Sequence, residues 1–73
     1  MSKVKLLICI DNSKFPASLE KRKIYEVVPD PEAERLGQVR VIDESGEDYL
    51  YPCSLFIDAK LPKSVQAAVI EAA

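Results

Sequence analysis

Four carboxylates, Asp43, Glu44, Glu47 and Asp48, crowd into one short stretch of the chain. Such a set can offer oxygen ligands to a hard cation such as calcium. Two of them, held apart across a substrate cleft, could also supply the acid pair of glycoside hydrolysis. Their spacing lacks the ligand pattern of an EF-hand loop, and a chain of 73 residues leaves little room for a cleft. The competing account is a solvated turn whose charges blunt aggregation. The absence of histidine removes the commonest general base, the usual partner of Ser and Cys nucleophiles, and the commonest metal ligand. Cys9 and Cys53 form no C-x-x-C pair. Two thiols cannot assemble a Cys₄ zinc site, and in a reducing compartment they stay unpaired. Cys9, in an apolar strand, and Cys53 as well are expected to pack as small apolar residues. No catalytic residue, metal or cofactor is assigned, and the chain is expected not to be an enzyme.

Binding chemistry is better represented. Lys21, Arg22 and Lys23 form a basic triplet, and Lys3, Lys5 and Arg40 can share nearby exposed faces, so an anionic partner such as nucleic acid could be held there, with Tyr49 stacking on a base. Flexible solvated side chains explain the same residues. The net charge of −2 provides no overall field to attract a polyanion. Tyr49, Tyr51, Pro52 and Phe56 lie close together in the chain and can grip a peptide through their ring faces.

The elements that must position these groups are short. Apolar residues make up 48% and charged residues 30%, the profile of one globular domain spanning 1–73. Val4 to Ile10 alternates with a period of two, the mark of a strand, and is apolar on both faces at its far end. One face, with Leu7 and Cys9, therefore needs a cover, for which a C-terminal helix is the candidate. Asp11 to Ser18 reads as a long loop anchored by Phe15 and Leu19. Ile24 to Val28 is a second strand, with Tyr25 and Val27 facing in.

Asp30 to Gly37 has an N-cap, Pro31 at the first helical position and a terminal glycine, so a short helical turn is predicted there. Gln38 to Asp43 and Asp48 to Tyr51 form a hairpin around Gly46. Cys53 to Leu55 makes one tight turn before a last strand, Phe56 to Ala59. Pro62 opens a helix over 62–72 whose stripe is Val65, Ala68, Val69 and Ala72, extended back by Leu61.

This order resembles the SH3-like barrel over residues 4–59. Leu19 followed by Ile24 to Val28 is similar to the segment after the long first loop of such barrels, and Gly46 to Pro52 with Leu55 and Phe56 resembles the strand, proline and turn before their last strand. The run Arg40 to Pro52 also resembles one found in small uncharacterised bacterial proteins of this type, a likeness that implies no function. The resemblance implies a mostly β fold, a small five-stranded SH3-like barrel with a short helical turn in a loop and a C-terminal α-helix. SH3 domains bind proline-rich helices through tyrosines, a tryptophan and acidic loops. This chain has no tryptophan, and Ile8 to Asp11 stands where an aromatic pair is usual, so that groove is not implied with the fold.

The expectation is a non-enzymatic interaction module binding a protein partner through Tyr49, Tyr51, Pro52 and Phe56. The alternative is a small nucleic-acid-binding barrel using Lys21, Arg22, Lys23 and Arg40. The longest apolar run, Leu6 to Ile10, falls far short of the roughly 20 residues that span a bilayer. The opening residues lack the pattern of a secretory signal, so a cytoplasmic protein is expected, monomeric or weakly dimeric, without a membrane partner.

Overall fold

A computed structural model describes residues 5–72. Val4, which opens the first predicted strand, and Lys3 of the basic surface lie outside the described residues. Five strands form one antiparallel sheet: β1 (Lys5–Cys9), β2 (Ile24–Val28), β3 (Gln38–Ile42), β4 (Asp48–Pro52) and β5 (Phe56–Asp58). Their order across the sheet is β4-β3-β2-β1-β5. Among the described residues no ladder joins β4 to β5, so this mostly β fold is an open sheet, with β4 and β5 at its edges, and is not closed into a barrel. A helix α1 (Pro31–Arg35) links β2 to β3, a one-turn 3-10 helix (Cys53–Leu55) links β4 to β5, and α2 (Lys63–Glu71) follows.

Local chemistry explains most of these boundaries. The Asp30 carboxylate accepts from the Ala33 N–H at 3.1 Å, satisfying a donor that the first turn of α1 would leave orphaned. Pro31 stands at the start of that helix, and Gly37 beyond its end adopts φ +78°, a conformation that costs glycine little. Gly46, at φ +84°, plays the same part at the tip of the β3–β4 hairpin.

The core packs against one face of the sheet. It gathers Leu7, Cys9, Tyr25, Val27, Val39, Val41, Tyr51, Leu55 and Phe56 from the strands and the 3-10 turn, together with Leu19 from the long loop. Phe15 packs against this cluster, its ring edge-on to Tyr51 at 5.0 Å. Three aromatic contacts of this edge type run through the core, a geometry the ring quadrupoles favour.

The faces of β1 are the reverse of those expected. Leu7 and Cys9 point into the core, while Leu6 on the opposite face lines a crevice with Ile24, Glu26, Val69 and Ile70, which places α2 on the outer side. The reason is register: Leu7 pairs with Tyr25 and Cys9 with Phe56, so the aromatic neighbours draw those two inward. The helix stripe shifts accordingly. Gln66, Val69 and Ile70 are half-buried, whereas Val65, Ala68 and Ala72 are exposed. Among the described residues no helix is long and apolar enough to cross a membrane.

Candidate functional site: a groove beside the β4 edge

Two hydroxyl–carboxylate pairs anchor the hairpin tip, one within the hairpin, from Tyr51 to Asp43, and one from Tyr25 of β2 to Glu44. Asp43, only 6% exposed, accepts from the Tyr51 hydroxyl at 2.6 Å and from the N–H and Oγ of Ser45 at 2.9 and 2.5 Å. Burial pushes its carboxyl up, but these donors outweigh burial and hold it below the usual carboxylate range. Beside it, Glu44 accepts from the Tyr25 hydroxyl at 2.5 Å and faces Lys23 Nζ at 2.7 Å. Lys23, and then Tyr25, hold the Glu44 carboxyl low. The Tyr25 oxygen in turn accepts from the Glu20 N–H at 2.7 Å, and the Glu44 N–H donates to the Ser18 carbonyl at 3.0 Å.

The acidic tip is therefore only partly a solvated turn. Glu44 fastens the loop of residues 10–23 through Ser18 and Lys23, and Asp43 braces the hairpin itself through Tyr51 and Ser45. Asp48 pairs with Arg40 at 3.2 Å, and among the described residues Glu47 has no ion pair. Among the described residues no group of three His, Cys, Asp or Glu is placed to hold a metal.

The basic residues differ in their pairing. Lys23 is paired with Glu44 and Glu20, and Arg40 lies between Asp30 at 3.0 Å and Asp48. Lys21 and Arg22 remain exposed. Arg22 sits at φ +73°, its N–H donating to the Cys9 carbonyl at 2.7 Å.

The four aromatic-surface candidates divide by depth. Tyr51 and Phe56 belong to the core. Tyr49 shares the face of Tyr51 and is half-exposed, as is Leu50 on the opposite face, and Pro52 is exposed at the end of β4. Tyr49 and Leu50 border an open groove of about 350 Å³ that is also lined by Phe15 and Ser18 of the long loop and by Asp43, Ser45 and Tyr51. The contribution of Phe15 and Ser18 is not legible from their neighbours in the chain. The only sequence signal was Phe15 as the lone aromatic in a turn-rich segment.

A second opening of about 300 Å³ lies over Leu7, Val27, Val39 and Phe56, with Cys53 at its rim. Cys53 is exposed rather than packed, because the 3-10 turn directs Leu55 inward instead, while Cys9 is fully buried. Both thiols are free. A thiol reagent is expected to label Cys53 alone in the native protein and both cysteines in denaturant. Labelling of Cys9 at the rate of Cys53 under native conditions would show that the core opens locally. Comparison with protein-family models, curated proteins and solved structures found no match to this chain.

Proposed function

We propose that this chain is a non-enzymatic interaction module of SH3-like architecture that holds a protein partner in the groove between the long loop and β4. The observation that carries the reading is the exposure of Tyr49, 50%, beside Phe15 on an open groove, with Leu50, 41% exposed, presenting a second apolar group on the other face of the same strand. Large apolar side chains left in water at a concave site are what a partner would cover. The architecture supports it as well: the order β4-β3-β2-β1-β5, a long β1–β2 loop folded over the core and a 3-10 turn between the last two strands resemble a half-open SH3-like barrel. Pro52 borders the same strand. The nucleic-acid reading has weaker support, since carboxylates occupy two of its four cations, Lys23 and Arg40.

Affinity capture from native cytosol is expected to recover a protein partner reproducibly, and Tyr49→Ser, at an exposed position, to weaken its retention roughly tenfold without changing the unfolding midpoint. Repeated capture of nothing, or a partner indifferent to Tyr49→Ser, counts against the module. Saturable amide shifts of Lys21 and Arg22 with RNA or DNA oligomers would favour the nucleic-acid reading instead.

A further inference from the structure

We infer that the free edge of β4 takes an extended, positively charged peptide segment as an added strand. This rests on the interaction-module reading and supplies the partner's conformation and charge. The β3–β4 ladder sets the geometry. The Asp43 N–H donates to the Glu47 carbonyl and the Cys53 N–H to the Gly37 carbonyl, both at 3.0 Å, and Val41 lies opposite Tyr49 and Val39 opposite Tyr51. By the alternation of an antiparallel pair, Tyr49 and Tyr51 turn their main-chain groups toward β3, while Asp48, Leu50 and Pro52 turn theirs outward.

β4 is the last strand of the sheet on that side. Among the described residues, nothing bonds the outward N–H and C=O of Asp48 and Leu50. Unpaired main-chain groups in a row are a template for another strand. Pro52, which has no N–H to leave unpaired, closes the far end of this template.

The opposite edge offers less. β5 has three residues, the Phe56 N–H is consumed by the Cys53 carbonyl, and Lys60 at φ +50° turns the chain away. On β4 an added strand would set alternate side chains against Tyr49 in the groove and against Leu50 on the other face.

Charge decides which strand fits. Asp30, Glu44, Glu47 and Asp48 lie toward this end of the sheet, and the cations set among them, Lys23 and Arg40, are already paired with carboxylates. Arg40 is shared by two carboxylates and Glu47 has no ion pair among the described residues, so the edge is short of positive charge. A second copy of the chain would bring the same acids to both sides. A five-residue edge also covers far less than the roughly 800 Å² per partner of a stable interface.

The test titrates isotope-labelled full-length protein with two synthetic peptides of equal length, one alternating lysine and valine, the other glutamate and valine. The lysine peptide is expected to shift the Asp48 and Leu50 amides saturably and to slow their hydrogen exchange roughly tenfold. Leu50→Pro removes an outward donor and no bond of the β3 ladder, and is expected to weaken binding roughly tenfold. Glu47→Lys, safe for folding at an exposed unpaired site, is expected to weaken it about threefold.

Equal binding of the glutamate peptide, or no binding of either, overturns the inference. So does concentration-dependent broadening at β4 without peptide, which would identify a second copy. Shifts confined to Phe15 and Tyr49 and unaffected by Leu50→Pro would overturn strand addition and leave the interaction module standing. A partner captured through Tyr49 that leaves Leu50 untouched would do the same.

Discussion

Leu19→Ala is expected to destabilise the protein by about 2–5 kcal/mol. Leu19 lies in the loop between β1 and β2, yet it is fully buried and belongs to the same cluster as the strand residues. Truncation leaves a cavity that the neighbouring rings cannot fill without leaving their edge-on contacts. A domain of this size has a total stability of about 4–11 kcal/mol, so the loss takes a large share of it. Urea unfolding followed by far-ultraviolet circular dichroism should show a midpoint moved well down with an unchanged slope. Leu36→Ala, at a residue 74% exposed, should stay within about 0.5 kcal/mol. Equal midpoints for Leu19→Ala and the parent would mean that the loop is not part of the core.

The second large effect concerns Asp43 and Tyr51. Tyr51→Phe is expected to cost about 1–3 kcal/mol, because it removes one donor from a carboxylate that burial has cut off from water. Asp43→Ala should cost at least as much, since it strands the buried Tyr51 hydroxyl and removes the acceptor that both donors of Ser45 share. The double variant should cost less than the sum, the signature of a direct pair.

The pH dependence follows from the same contacts. Asp43 and Glu44 have depressed carboxyl values in the folded state. Their stabilisation is therefore present above the unfolded value of about 4 and is lost as pH falls through the folded values. The phenols of Tyr25 and Tyr51 are displaced the other way: burial, then the adjoining carboxylates, raise both. Stability from these phenols is present below about pH 10 and declines as pH rises beyond it. Thermal midpoints across pH should form a plateau between those limits. Tyr25→Phe should flatten the alkaline fall, and Asp43→Asn the acid one. A midpoint that rises on passing from neutral pH to pH 3 would contradict the arrangement.

Much of the secondary structure was legible because it is decided locally. The β-branched and aromatic alternation of Ile24–Val28, the hairpin around Gly46, the Asp30 cap with Pro31, and the turn after Pro52 each depend on residues within a few positions of one another. The faces of β1 were not legible, because Leu6, Leu7, Ile8 and Cys9 are apolar on both sides and alternation carries no sign. The contact face of α2 was legible only in part for a related reason: Val69 belongs to the face that packs, but Val65, Ala68 and Ala72 make as good an apolar stripe with it as Gln66 and Ile70 do.

Of the candidate site, the residue types were visible and their roles were not. Tyr25 meets Glu44 across 19 positions of sequence and Lys23 meets it across 21, distances at which composition says nothing about pairing. By itself, the chain's sequence determined a small, mostly β domain with short strands, an acidic hairpin and no histidine-based chemistry, since these follow from residue type and near-neighbour spacing. Only the tertiary structure decided that Asp43 is buried, that Lys23 and Arg40 are neutralised, and that β4 ends the sheet with Leu50 facing outward. Those outcomes depend on strand order and register, which arise from long-range packing of the core.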